Sequence, residues 1–348
     1  MIKERLLFIY PKKFTFINTE IKILSDNYEL ISQDQNWNNK LLLPINFIRQ
    51  FFFLIFNITK VNTILISFGG YSSYLPSVIG RFFGKKVAIV VHGTDCVSFP
   101  EINYGNLRKP LMRWFTRKSY KNANIILPVS ESLVYTENNF FSHNTMKFGY
   151  SYHLKNIETP YKVIPNGLII EDWRKDETVQ KDKNSFISVL SKGNILLKGV
   201  DLIIDVASRF PNHNFFLAGI DNLENFQEVE NIFCLGKLSP KELNFWYSKT
   251  QFYLQLSNTE GFGVALCEAM LCNCIPIVSD VNSLPTIVGD SGFILKKRDL
   301  NMLNDLINVA LKSDISDLEV KTRNRIINNF STQNRQKLLI KELFSEKK

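Results

Sequence analysis

The chain has 348 residues, 45% hydrophobic and 22% charged, with a mean hydropathy of −0.06; this is the profile of a soluble globular chain and excludes a disordered or fibrous one. Its length exceeds what one hydrophobic core usually holds, so two domains of roughly 150 residues each are expected. The net charge of +9 is uneven, with 20 Lys and Arg against 10 Asp and Glu in residues 1–170 and 22 against 23 in the remainder, which points the first half at a polyanionic partner.

The first apolar run, Leu6 to Tyr10, stops at Pro11 and is too short for a signal peptide. The longest apolar stretch, Leu41 to Phe68, is broken by Arg49, Gln50, Lys60 and Asn62 and makes a poor spanning helix. A cytoplasmic location is expected. Five cysteines without a second ligand cluster at zinc-finger spacing read as buried free thiols.

Strands are expected at Leu6 to Tyr10, Glu29 to Ile31, Thr63 to Ser67, Lys86 to Val91, Asn124 to Pro128 and Lys162 to Ile164, with helical patterns between them. Strands alternating with helices imply a parallel sheet, because parallel neighbours need crossover connections. A charged stretch, Glu171 to Asn184, reads as a linker. A second alternation follows, with strands at Ser185 to Leu190, Asn214 to Ala218, Asn231 to Leu235, Gln251 to Leu256, Ile275 to Ser279 and Phe293 to Leu295. Its helices are Gly199 to Arg209, Ser239 to Ser248, Gly263 to Cys272 and Asn301 to Lys312. The expected fold is α/β, with two Rossmann-like domains. Ligands of such sheets sit beyond the carboxyl ends of the strands, so the cleft between the lobes is the expected site.

The most informative stretch runs from Ser257 through Glu260-Gly261-Phe262-Gly263-Val264 to Glu268-Ala-Met. It reads as the end of a strand, a loop and a helix start, where glycines allow close backbone approach and free N–H groups can bind an anion. Glu260 before the helix and Glu268 within it can flank one ligand, a polyol on each side of a phosphate. The same spacing also fits a glutamate favouring the helix dipole and another on a solvated face. Lys198, just before Gly199 and a second helix start, adds positive charge suited to a diphosphate, and Lys192 could reach the same anion; a solvated lysine is the plain alternative.

In the first half, His92-Gly93-Thr94-Asp95 ends a strand. A neutral His92 there could hydrogen-bond a sugar hydroxyl, or could be structural. Gly69-Gly70 permits close backbone approach or simply makes a turn. From Asn106 to Lys121, Leu107, Leu111, Trp114 and Phe115 recur at helical spacing among Arg108, Arg113, Arg117 and Lys121. This pattern fits a helix resting on anionic lipid, or a core helix with a basic outer face.

In order along the chain, Phe14 to Ser25 with Tyr28-Glu-Leu, His92-Gly93-Thr94, Ala123 to Ser132, Val163-Ile-Pro-Asn166-Gly167, Lys198-Gly199, Leu235-Gly236 and Glu260 to Met270 resemble glycosyltransferase family 4 of bacterial surface-polysaccharide type. That resemblance implies a GT-B fold: an acceptor-binding domain over 1–167 and a nucleotide-sugar-binding domain over 168–330, their parallel sheets facing across a cleft. Residues 331–348 would form a helix returning to the first domain. It implies Glu268 on the ribose hydroxyls, Glu260 on the donor sugar, and Lys198 with the N–H groups of Phe262 to Val264 on the diphosphate. His92 would touch the transferred sugar, and Gly69, Gly70, Thr94, Asp95 and Asn166 are candidate acceptor or cleft residues.

Three features depart from the family pattern. Lys192 stands where an arginine is usual, the glycine-rich loop after the first strand is replaced by Pro11-Lys12-Lys13, and Ala-Cys-Gly is replaced by Leu271-Cys272-Asn273. Asn also tolerates left-handed backbone angles.

The implied activity is transfer of a hexose-type sugar, with retention, from a UDP- or GDP-sugar to a saccharide or lipid-linked saccharide, possible membrane contact being through the basic first domain. No cofactor is expected, and the sequence contains no Asp-x-Asp triplet to clamp a metal. Competing readings are a sugar-nucleotide epimerase of similar fold and a non-catalytic lipid- or polysaccharide-binding module. A nucleic-acid partner finds no docking motif.

Overall fold

The computed structural model describes residues 3–100, 102–141, 145–190, 195–223, 226 and 229–344. The chain divides into two compact units: Met1–Glu137, Lys147–Gly167 and Thr332–Lys348 form the first, and Asn138–Met146 and Leu168–Ser331 the second.

The first unit holds β1 (Glu4–Ile9), α1 (Thr15–Ser25), β2 (Tyr28–Ser32), α2 (Leu43–Asn57), β3 (Thr63–Ser67), α3 (Tyr71–Phe82), β4 (Lys86–Val91), α4 (Pro110–Asn122) and β5 (Ile125–Pro128). Its five strands run parallel in the order β2-β1-β3-β4-β5. Every residue of β3 is buried, as a central parallel strand covered on both faces requires. Two short strands, β6 (Thr136–Asn138) and β7 (Met146–Phe148), and the single turn α5 (Tyr150–His153) follow.

The second unit alternates β8 (Asp182–Val189), α6 (Val200–Ala207), β9 (Asn214–Ala218), β10 (Ile232–Gly236), α7 (Pro240–Lys249), β11 (Thr250–Gln255), α8 (Val264–Leu271), β12 (Ile275–Ser279), α9 (Leu284–Val288), β13 (Phe293–Leu295), α10 (Leu300–Lys312) and α11 (Ser316–Phe330). The strands again run parallel, in the order β10-β9-β8-β11-β12-β13. Their order reverses between β8 and β11, and the loops leaving two such strands open a crevice at their carboxyl ends. The last helix, α12 (Thr332–Phe344), belongs to the first unit.

Three expectations are corrected. Lys162 to Ile164 is not a strand: the N–H groups of Lys162 and Ile164 bond to Ile126 and Pro128 of β5, but Pro160 and Pro165 on either side have no N–H with which to extend the ladder. The charged stretch read as a linker ends earlier, because β8 begins at Asp182, where Asp182 already pairs with Thr250 of β11.

The helix expected from Asn106 also begins later. Residues Asn106–Arg108 form a single 3₁₀ turn, and α4 starts on Pro110, whose fixed φ suits a first helical position.

Candidate functional site

In the second unit, the loop after β8 and the loop after β11 are drawn together by Gly199. Its φ of 72° is left-handed, and a Cβ there would lie 2.2 Å from the carbonyl oxygen of Leu256, so a larger residue would force the loops apart. Asn258 N–H donates across the junction to Leu197 O at 2.8 Å. The result places Lys198 Nζ 2.5 Å from Glu260 Oε2, with both side chains largely buried.

The same carboxylate oxygen accepts from Gln255 Nε2 at 2.7 Å and from Ser257 Oγ at 3.3 Å. Tyr253 OH donates to Gln255 Oε1 at 3.1 Å, which fixes the amide with its nitrogen toward Glu260. Asn282, itself left-handed at φ 50°, accepts the backbone N–H of Glu260 at 2.9 Å and the hydroxyl of Thr259 at 3.0 Å. With Oε2 saturated, Glu260 Oε1 makes no hydrogen bond among the described residues and remains an acceptor for a hydroxyl.

Beyond this loop, α8 begins behind Gly263, at φ 113°, with no side-chain cap on its first N–H groups. An uncapped helix start presents partial positive charge and hydrogen-bond donors. Phe262 is buried edge-on against Phe330, and its carbonyl accepts Ser283 Oγ at 2.6 Å, which fixes the approach to Val264.

Glu268 lies on the second turn of α8. Burial pushes its carboxyl up to about 8, and no hydrogen bond or ion pair satisfies it among the described residues. Tyr253 links the two glutamates: its phenol is pushed well up by burial and then by the charges of Glu260 and Glu268. Lys198, Glu260, Glu268 and the start of α8, with Gly261 in the intervening loop, therefore belong to one region of the second unit. Lys192 lies outside the described residues. Asn273 takes φ 63°, so asparagine fills the left-handed position after α8.

In the first unit, His92 ends β4 between the rings of Phe16 at 4.7 Å and Phe68 at 4.5 Å, with Nε2 2.7 Å from Ser67 Oγ. Burial, followed by the positive charge of Arg335, pushes its pKa well below 6.5 and keeps the ring neutral. Arg335, on α12, makes a buried bidentate pair with Glu20 of α1, at 2.7 and 2.9 Å, and donates to the carbonyls of Ile164 and Pro165. Asn166 lies buried beside those carbonyls, and Thr94 is half-buried with its carbonyl accepting Asn106 N–H at 2.7 Å.

Three acceptor candidates are used internally instead. Asp95 is fully buried; its oxygens accept the N–H groups of His92, Gly93 and Gly69 and the hydroxyl of Tyr120, tying the ends of β3 and β4 together. Gly69 and Gly70 make room for α4 rather than a ligand, since a Cβ on either would strike Thr116 and Tyr120 or Met112.

The sequence assigned no role to Gln255, Ser257, Asn282, Glu20 or Arg335. Gln255 had one available signal, a polar residue directly after the apolar run Phe252–Leu254 of a fully buried strand. Among the described residues, no group of three His, Cys, Asp or Glu side chains is placed to hold a metal ion.

Residues 169–333 match the family described as Glycosyl transferases group 1. Protein CapJ of Staphylococcus aureus is 23% identical over 100% of this chain and 90% of its own length. The O-antigen chain mannosyltransferase B of Escherichia coli is 32% identical over 23% of this chain and 21% of its own. Among solved structures, sucrose-phosphate synthase from Thermosynechococcus elongatus aligns with a TM-score of 0.73 at 12% identity, covering 98% of this chain and 99% of that one. Anabaena HepE in complex with UDP and glucose aligns with a TM-score of 0.66 at 13% identity, covering 98% and 99%. These likenesses show the GT-B fold, with its two parallel-sheet domains.

Proposed function

Taking residues 169–333 as a glycosyl transferases group 1 domain, we propose that the chain transfers a hexose-type sugar from a nucleoside-diphosphate donor to a saccharide or lipid-linked saccharide, in polysaccharide biosynthesis. The observation that carries the reading is the grouping of Lys198, Glu260 and Glu268 around the uncapped start of α8. It offers a cation and N–H donors for a diphosphate with a carboxylate for hydroxyls on either side. The UDP and glucose bound by HepE support a UDP-sugar as the first donor to test.

In this reading, Glu268 accepts from the ribose hydroxyls and Glu260 Oε1 from the donor sugar. Lys198 Nζ, already poised against Glu260, turns its charge on the β-phosphate, joined by the N–H groups of Phe262 to Val264. As the bond from the anomeric carbon to the phosphate oxygen breaks, negative charge develops on that phosphate, and fixed donors aimed at it are the main catalytic device. The acceptor hydroxyl attacks the anomeric carbon from the departing side and passes its proton to the leaving phosphate, which retains configuration and calls on no metal.

The first unit is the acceptor side, where neutral His92 offers a ring nitrogen to a sugar hydroxyl. A lipid-linked acceptor would place the enzyme on the inner face of the cytoplasmic membrane.

The test is a panel of nucleotide sugars scored by thermal stabilisation and then by product formation. A true donor at 100 times its dissociation constant adds about 2.7 kcal/mol of stability. Sugar transfer only when an acceptor is added supports the proposal; isomerised donor without acceptor would identify an epimerase, and stabilisation by no nucleotide sugar refutes the reading.

A further inference from the structure

Helix α2 turns much of its apolar surface outward. Its inward face carries two polar residues in line with fully buried Leu54: Asn46 and Gln50 are buried, Asn46 Nδ2 donating to Asn36 O at 2.9 Å and Gln50 Nε2 to Ser72 O at 2.9 Å. Its outward face carries Ile48, Phe52 and Phe56, one turn apart and 59%, 54% and 68% exposed, flanked by exposed Ile45, Phe51 and Ile55. A surface helix in water turns its apolar stripe inward, and a contiguous exposed apolar face of this kind marks an interaction site.

The neighbouring helices extend the face. Phe115 of α4 packs 5.5 Å from Phe47 and 5.0 Å from Tyr74 of α3. Above this cluster lies an open apolar groove of about 450 Å³, lined by Phe47, Ile48, Phe51, Phe52, Tyr74 and Phe115 among others. Two turns beyond Leu75 on α3, Phe82 is 83% exposed.

Charge selects the occupant. Between residues 35 and 130 the sequence has 12 Lys and Arg but only two acids, Asp95 and Glu101, and Asp95 is buried. Two copies of such a face would set like charges against each other, whereas an anionic lipid surface complements both the apolar stripe and the basic surround. With 15 residues, α2 is roughly 22 Å long, short of the ~30 Å hydrocarbon core, so it can lie in a bilayer surface but not cross it.

We propose that α2 is a membrane-docking helix: its Ile48–Phe52–Phe56 stripe enters the boundary between headgroups and acyl chains of an anionic bilayer, and one lipid hydrocarbon chain fills the groove. The basic residues of α4, including Lys118 and Lys121, lie against the headgroups. The inference rests on the membrane-side reading of the acceptor but not on the transfer chemistry.

The test is co-sedimentation of the full chain with vesicles of phosphatidylcholine containing phosphatidylglycerol, and with pure phosphatidylcholine, at low salt. The unmodified protein binds the anionic vesicles, and Phe52→Glu/Phe56→Glu lowers that binding by at least about tenfold, while thermal stabilisation by nucleoside diphosphate is unchanged and reports an intact second unit. A second variant, Lys118→Glu/Lys121→Glu, keeps the apolar stripe and reduces the preference for anionic vesicles. Equal binding by the phenylalanine variant overturns the role of α2 and leaves the transferase reading untouched. Failure of the unmodified chain to bind anionic vesicles overturns the inference, as does self-association lost in the phenylalanine variant without vesicle binding, which would assign the face to a second copy.

Discussion

Glu268 offers a prediction in which binding is read as proton release. Its carboxyl is pushed up to about 8 by burial and has no opposite charge against it among the described residues, so at pH 7 the protonated form predominates. Ribose hydroxyls donating to the carboxylate favour its ionised form, so nucleoside diphosphate binding should expel most of a proton from this site and tighten as pH rises toward 8. Calorimetric titration at pH 7 in two buffers of different ionisation enthalpy measures that release. The terminal phosphate of the ligand also titrates, and Glu268→Gln supplies the correction, since its phosphate contacts remain. The difference between wild type and variant should approach one proton. Loss of the charge-assisted contact should weaken binding by about 1.5–3 kcal/mol, roughly ten- to a hundredfold. Identical proton release and affinity in the two proteins would refute the assignment of Glu268 to the ribose.

Lys198→Ala should lower turnover roughly ten- to a hundredfold through loss of a charge-assisted contact of about 1.5–3 kcal/mol; steady-state transfer by a folded variant with unchanged turnover would contradict the phosphate role. Gly199→Ala, which places a methyl 2.2 Å from Leu256 O, should lower the melting temperature and separate Lys198 from Glu260, so turnover falls even where the variant folds. Arg335→Met leaves Glu20 buried without its partner and should cost about 3–5 kcal/mol of stability, measured by denaturant unfolding. Chelator treatment should leave the transfer rate unchanged, and recovery of a lost rate on adding back a divalent cation would contradict the metal-free reading.

The legible parts of the fold were those where a β-branched run is bounded by polar residues. Thr63 to Ser67, Lys86 to Val91 and Ile275 to Ser279 form strands over the residues their pattern marks. Lys162 to Ile164 has the same look, but pairing depends on neighbouring prolines and the sheet edge, which a local pattern does not encode. At the site, Lys198, Glu260 and Glu268 were visible because each lies at a helix start or within a short, glycine-marked segment.

Their supports were less legible. Asn282 reaches Glu260 from a loop 22 residues away, and Arg335 reaches Glu20 across 315 residues; neither partner is implied by the local sequence. The purpose of Gly69 and Gly70 depended on which helix packs over them. The apolar run in α2 could be read only as too interrupted to span a membrane, since its outward-facing phenylalanines become apparent once Asn46 and Gln50 are seen to point inward.

The most direct measurement is a crystal structure of the protein with a bound nucleoside diphosphate. The β-phosphate is expected within hydrogen-bonding distance of Lys198 Nζ and the first N–H groups of α8, with the ribose hydroxyls on Glu268. A nucleotide seated elsewhere, with Lys198 still closed on Glu260 and Glu268 touching no ligand, would contradict it.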